Sequence, residues 1–238
     1  MIKKQGVSVI IPVWNNAKTI KKAVESCLNQ TLLPLEILIC DDGSTDESKK
    51  VVKSISSPLI RWIEGKHSGK PAIPRNKGIK KSKGEWIAFL DADDVWLPNK
   101  LKSQITAMKQ TKCLAICTNA YKKKKGVKEK KLFFEFPQKN LTLIEMLKTN
   151  FVICSSILLH YTLLKNVVGF PENKRLISVE DYSFFLRIAS QTNIIYLNQP
   201  LVIYTDEPDK SIRSKIKTKP KLLKLFVLID FIFWILKI

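Results

Sequence analysis

Apolar runs four to seven residues long alternate with stretches of helical spacing through the first hundred positions of the chain. Val7-Ser-Val-Ile-Ile-Pro12 reads as a β-branched strand stopped by proline. Ala17 to Gln30 places Ile20, Ala23, Val24, Cys27 and Leu28 on one helical face. Leu35 to Cys40 is a second apolar strand, and Ser44 with Glu47 forms the capping-box pattern of a helix running to Ser54. Leu59 to Ile63 follows as a strand and Lys66 to Pro74 as a loop containing Gly and Pro. Arg75 to Lys81 is then a short helix, and Trp86 to Leu90 a strand apolar enough to be buried on both faces. Alternation of this kind predicts βαβ units, hence an α/β fold with a Rossmann-like, mostly parallel central sheet flanked by helices.

Beyond Pro98 the pattern loosens. Leu101 to Met108 continues as helix and Cys113 to Thr118 as strand. Lys122 to Lys131 is lysine-rich around Gly126, the composition of a solvated loop or hairpin tip, with contact to an anionic surface as the alternative. Thr142 and Glu145 cap a small helix ending near Thr149, and Phe151 to His160 is strand-like. Ser178 to Ser190 predicts a helix, while Ile194 to Leu197 and Leu201 to Tyr204 predict closing strands. These elements make one domain over 1–210, divided into halves at 98, with a tail over 211–238. Lys215 to Lys224 of the tail is basic, and Leu225 to Leu236 is apolar apart from Asp230. Twelve helical residues span about 18 Å, short of the roughly 30 Å hydrocarbon core. The expectation is an amphipathic helix lying among lipid headgroups, held by Phe226, Phe231, Phe233 and Trp234; docking on the domain is the alternative.

Charge sharpens this picture. The formal net charge of +20 implies an anionic partner or surface. The five cysteines are odd in number and lie mostly in apolar runs, which fits reduced thiols in a cytosolic protein and argues against zinc. The short basic lead before Val7 lacks the pattern of a signal peptide.

The candidate chemistry sits where strands end. Pro12-Val-Trp-Asn15, Asp41-Asp42 and Asp91-Ala-Asp-Asp94 are polar clusters at three strand termini, and open α/β sheets gather ligands beyond the carboxyl ends of their strands. Carboxylates delivered by a buried strand are costly without a cation or polar ligand, and oxygen ligands suit Mg²⁺ or Mn²⁺. An acidic helix start is the plainer reading of the same residues.

In sequence the chain resembles a family 2 glycosyltransferase of the GT-A fold. The resemblance rests on Ser8-Val-Ile-Ile-Pro-Val-Trp-Asn15, Asp41-Asp-Gly-Ser-Thr-Asp46, Ala72-Ile-Pro-Arg-Asn-Lys-Gly78, Gly84-Glu-Trp-Ile-Ala-Phe-Leu-Asp-Ala-Asp-Asp94 and Val179-Glu-Asp-Tyr182. They occur in the family's order and cover about residues 7–205. The likeness implies a nucleotide-sugar donor, commonly a UDP-sugar. Pro12 and Trp14 would line the base, Asp42 would read it, and Lys70 or Arg75 would approach the base or diphosphate. Asp91 would contact the ribose and Asp93 would bind Mn²⁺ or Mg²⁺, with Asp41 and Asp94 in support. Asp181 matches the catalytic base of an inverting transfer, and Glu180 would orient Asp181 or the acceptor. Many relatives carry a further histidine near Tyr204-Thr-Asp-Glu-Pro-Asp-Lys-Ser211; here Asp206 or Asp209 would substitute, or a loop with Arg213 and Lys215 would cover the diphosphate. His67 and His160 read as incidental.

The Val-Glu-Asp-Tyr pattern and the basic, apolar tail resemble enzymes that extend sugar–diphosphate–lipid intermediates of O-antigen, capsule or lipooligosaccharide. This implies a glycan or lipid-linked acceptor and a peripheral place on the anionic cytoplasmic face of the membrane. Charge alone would allow a nucleic-acid-binding protein. Carboxylates clustered at strand ends would repel a phosphate backbone, so no nucleic-acid partner is expected. A catalytically silent relative that binds glycan or lipid, and a nucleotidyltransferase releasing diphosphate, are the remaining rivals.

Overall fold

The computed structural model describes residues 3–123, 131–137, 139–205 and 216–237. The first half runs β1 (Lys4–Val13), α1 (Ile20–Leu28), β2 (Glu36–Asp41), α2 (Ser48–Lys53), β3 (Ile60–Ile63), α3 (Ala72–Lys81) and β4 (Gly84–Phe89). There follow β5 (Val95–Trp96), α4 (Lys100–Thr111), β6 (Ala115–Lys123), β7 (Lys131–Leu132), β8 (Lys139–Leu141) and α5 (Leu143–Lys148). The rest is β9 (Leu158–His160), α6 (Tyr161–Val167), α7 (Glu180–Ala189), β10 (Ile194–Thr205) and α8 (Pro220–Ile235).

One sheet runs in the order β3-β2-β1-β4-β9-β6-β10-β5, with β7 added to β6 and β8 to β10. The strands β3, β2, β1 and β4 are mutually parallel, as the alternation predicts. The second half is mixed, because β9 enters antiparallel between β4 and β6 while β6 and β10 run parallel. Register places Val13 opposite Asp41 and Ile10 opposite Phe89, so β1, β2 and β4 end along one edge. Every residue of β2 is buried, as expected for a strand covered on both faces. Ile10, Leu38 and Phe89 face one apolar layer, and Val9, Ile37 and Ala88 face the other. Helix α3 lies close on the first layer because Gly78 has no side chain; a Cβ there would stand 2.4 Å from Ile10 Cγ2.

Several local expectations change. Thr142 and Glu145 form the capping box of α5, but Ser44 and Glu47 do not form one for α2. Ser44 Oγ instead accepts the Asn15 amide at 3.0 Å, and Asp46 accepts the Ser48 amide at 3.0 Å. Phe151 to His160 contains a 3-10 turn, Cys154–Ser156, before the short β9. The two closing strands are one, β10, whose pairing with β6 shifts register around Pro200.

The tail helix α8 docks on the domain. Val227 and Phe231 are buried in the same layer as Phe184 and Leu186. Asp230, which interrupts the apolar run, accepts from Ser183 Oγ at 2.5 Å and from Arg187 at 2.6 Å. Phe226 and Trp234 also pack against this layer, so of the four aromatic residues expected among headgroups only Phe233 stands exposed. Apolar residues surround the whole helix, so the face turned to α7 is buried by protein and the opposite one is left outward. No helix among the described residues is long and apolar enough to cross a membrane. The lysine-rich stretch lies, over 124–130, outside the described residues.

Candidate active site

The carboxyl edge is stitched from both sides. Asn15, held at φ 51°, accepts on Oδ1 from the amides of Thr45 at 2.8 Å and Asp46 at 3.2 Å, joining the ends of β1 and β2. Asp41 Oδ1 accepts the Ser44 amide at 3.0 Å. Pro12 is half-buried opposite Cys40, and Trp14 is exposed. The Asp42 carboxylate is buried and accepts from the amides of Ser68 and Gly69, each at 3.1 Å, and from Ser68 Oγ at 2.6 Å. The resemblance assigns this carboxylate to a nucleobase; in the fold it anchors its own 67–69 loop. His67, read as incidental, belongs to the site: its ring stacks on Trp14 at 4.5 Å, and its Nδ1 lies 3.2 Å from Asp42 Oδ2. Gly43, at φ +78°, makes this approach possible, since a Cβ there would stand 2.5 Å from the His67 amide nitrogen.

Helix α3 supplies the bridge across the edge. Arg75 is buried and donates to Glu180 Oε1 at 2.8 Å and to Asp91 Oδ1 at 2.7 Å. It thereby links the end of β4 to the first residue of α7, two segments far apart in sequence. Lys70 Nζ donates to the Glu172 carbonyl at 2.9 Å. Both side chains face the edge, but Arg75 is held between carboxylates rather than offered to a diphosphate. Cys154 sits among these charges: burial pushes its thiol well up, Arg75 opposes this, and Asp91, Asp181 and Glu180 add to it. Asp181 is half-buried, and its Oδ1 accepts the Tyr182 amide at 2.7 Å, so it occupies the first turn of α7.

The aspartates after β4 are held by residues that show no sequence signal. Ser155 Oγ accepts the Asp91 amide at 3.0 Å and donates to Asp94 Oδ2 at 2.5 Å, while Thr205 donates its amide to Asp94 Oδ1 at 2.8 Å. Burial raises the Asp94 carboxyl well above its usual range, and the charges of Asp91 and Asp93 raise it further. Asp93 is exposed, and its carbonyl accepts from Thr205 Oγ1 at 2.7 Å. Among the described residues no three side chains of His, Cys, Asp or Glu gather closely enough to hold a metal alone. The mutual repulsion of these carboxylates, with Asp93 facing outward, nevertheless fits a divalent cation held by one carboxylate and completed by substrate and water. Asp206, Asp209, Arg213 and Lys215 lie outside the described residues.

The structure therefore brings Pro12, Trp14, Asp41, Asp42, Lys70, Arg75, Asp91, Asp93, Asp94, Glu180 and Asp181 to one edge of one sheet. Sequence reasoning missed His67, Asn76 and Ser155. Asn76, whose Nδ2 donates to the Phe170 carbonyl and to Glu172 Oε1, each at 2.8 Å, had the one signal, its place inside the Ala72–Gly78 motif. A surface cleft of about 490 Å³ lies elsewhere, between α4 and β10, and none of the residues at the carboxyl edge lines it.

The description of Glycosyl transferase family 2 matches residues 8–168. The Escherichia coli protein WfaP, a UDP-Glc:alpha-D-GlcNAc-diphosphoundecaprenol beta-1,3-glucosyltransferase, is 37% identical over 185 residues, covering 78% of this chain and 70% of its own. WfgD of Escherichia coli, with the same described activity, is 33% identical over 194 residues, covering 81% and 73%. Among solved structures, S. aureus TarS in complex with UDP-GlcNAc gives a TM-score of 0.77 at 23% identity, over 95% of this chain and 66% of that one. The mannosyltransferase PcManGT from Pyrobaculum calidifontis, solved with GDP-Man and Mn2+, gives 0.64 at 15% identity, over 96% and 70%. These two likenesses are of fold, and the fold is GT-A as expected.

Proposed function

This chain belongs to glycosyl transferase family 2, and from that premise we propose that it moves a sugar from a UDP-sugar to a hydroxyl of a sugar–diphosphate–lipid, with inversion at C1, in bacterial surface polysaccharide synthesis. The observation that carries the reading is the Arg75 bridge, which brings Asp91 of the donor half within one residue's reach of the Glu180-Asp181 pair. The acceptor oxygen attacks C1 from the face opposite the diphosphate. The C1–O bond to the diphosphate breaks, the nucleoside diphosphate leaves, and the hydroxyl proton passes to Asp181 as general base. Asp91 meets the ribose, and Trp14 with Pro12 lines the base. A divalent cation held through Asp93 would act as a Lewis acid on the leaving diphosphate. The relatives' described substrates support the donor and acceptor classes. The exposed apolar face of α8 and the +20 charge support a peripheral place on the cytoplasmic face of the membrane.

The test is a set of UDP-sugars scored for thermal stabilisation with Mn²⁺, then for transfer to a GlcNAc-diphosphate-lipid with linkage analysis. One UDP-sugar should stabilise the chain and yield a new glycosidic bond, with EDTA abolishing transfer and Mn²⁺ or Mg²⁺ restoring it. Full activity in chelator would remove the cation from this reading. Release of a sugar 1-phosphate in place of UDP would make the chain a nucleotidyltransferase.

A further inference from the structure

The carboxylate that the family resemblance assigns to the nucleobase is already occupied by its own chain. Asp42 Oδ1 accepts from the Ser68 amide at 3.1 Å and from Ser68 Oγ at 2.6 Å. Its Oδ2 accepts from the Gly69 amide at 3.1 Å and faces His67 Nδ1 at 3.2 Å. A carboxylate offers about four acceptor sites, and the 67–69 loop fills them. The Asp42 side chain is also only 8% exposed, against 49% for that of His67. An incoming base therefore finds His67 open and Asp42 closed.

The state of the His67 ring follows from its neighbours. Nδ1 lies 3.1 Å from the Asp42 carbonyl oxygen and 3.2 Å from Asp42 Oδ2. Both are acceptors, so Nδ1 carries the proton, and in the neutral ring Nε2 keeps its lone pair. The space beside that nitrogen is open. A Cβ built on Gly69 would meet one heavy atom within 4 Å apart from its chain neighbours, Nε2 itself at 3.9 Å. Trp14 holds the ring across its face, stacked at 4.5 Å with 19° between the planes. Among the described residues Nε2 is the one acceptor of this cluster left unused.

We propose that His67 reads the nucleobase of the donor, with Nε2 accepting a ring N–H and Asp42 holding the imidazole in the tautomer this needs. A base that donates to Nε2 lies edge to edge with the imidazole and continues the layer stacked on Trp14. Uracil presents an N–H at N3. Cytosine presents a lone pair at the same position, and two facing lone pairs repel. The site therefore selects uridine over cytidine nucleotides, by a hydrogen bond to one and a repulsion against the other. The inference rests on the donor class given under Proposed function and adds which side chain chooses the base.

Calorimetric titration of the full chain with UDP and with CDP, both in Mg²⁺, tests it without needing turnover. The two probes share ribose and diphosphate and differ only in the base. The unaltered chain should bind UDP about tenfold more tightly than CDP. His67→Phe keeps a ring on Trp14 but removes the acceptor, and the ratio should fall to near one, chiefly through weaker UDP binding. His67→Gln, whose amide can turn to donate or to accept, should bind the two nucleotides about equally. An undiminished UDP preference in either variant overturns the assignment and returns the base to Asp42 or the main chain, with the proposed reaction intact. Equal binding of UDP and CDP by the unaltered chain also overturns it. Binding of neither nucleotide would remove the UDP-sugar donor itself, and this inference with it.

Discussion

Helix α7 is gripped by a buried arginine at each end, and the two grips differ in charge. At its start, Arg75 meets two carboxylates, Asp91 and Glu180. In its last turn, Arg187 meets one, Asp230, which Ser183 also contacts. The second arrangement is neutral and pins an apolar helix to the domain. The first keeps one negative charge in excess, beside Asp93 and Asp181. Surplus charge of one sign is tolerable where a cation or a proton will arrive, and costly anywhere else. The comparison separates a site from an anchor on the same helix.

The largest effect should follow from Asp181→Asn, which removes the proton acceptor and leaves both arginine grips in place. Transfer should fall by about 10²- to 10⁴-fold with an unchanged melting temperature. A variant with normal kcat would dissociate Asp181 from the chemistry. Next, Arg75→Met strands Asp91 and Glu180 without their cation, and breaking a buried pair costs about 3–5 kcal/mol. Urea unfolding should show that loss together with loss of transfer, and adding Glu180→Leu should recover stability but not activity. Unaltered stability in Arg75→Met would refute the bridge as a structural element.

Asp230→Ala should cost somewhat less, about 3 kcal/mol, because it leaves one charge unpaired where Arg75→Met leaves two. Here Arg187→Met combined with Asp230→Leu should return stability close to the starting value and leave transfer to a short soluble acceptor intact. Failure of that rescue would show that the two grips are not different in kind.

The smallest effect concerns Lys100, buried behind the site with its ammonium 4.0 Å over Trp96 and bonded to Gln104 at 2.8 Å. Burial pulls its pKa down to about 7, while Cys27 and Cys117 pull the other way. Above pH 7 the fold holds fewer protons on this group than the unfolded chain does, so stability rises with pH. The rise should show most clearly between about pH 7 and 8.5, below the range where the thiols ionise. Lys100→Met should flatten it in denaturant titrations at several pH values, and a slope that persists would exonerate Lys100.

Much of the donor half could be read directly. Its inner strands β1 and β2 are β-branched runs with residues buried on both faces, and each element's own period announces it. Local patterns misled where a distant partner competed. Ser44-x-x-Glu47 and Thr142-x-x-Glu145 share one pattern, yet only the second caps a helix, because Ser44 is taken by Asn15, 29 positions away in the neighbouring loop. His67 carried no signal, since its significance lies in the ring it meets. Asp230 looked like a flaw in an apolar helix until Arg187 was placed beside it.

What the order of residues decided alone is the parallel half of the sheet, the edge where its strands end, and the acidic types collected there. Hydrophobic period and strand polarity are local properties, and they suffice for that. Only the folded chain decided that Arg75 joins Asp91 to Glu180, that Asp42 holds its own loop, and which face of α8 remains outward. Those outcomes depend on which charges and apolar surfaces become neighbours across long sequence separations, and no local period encodes them.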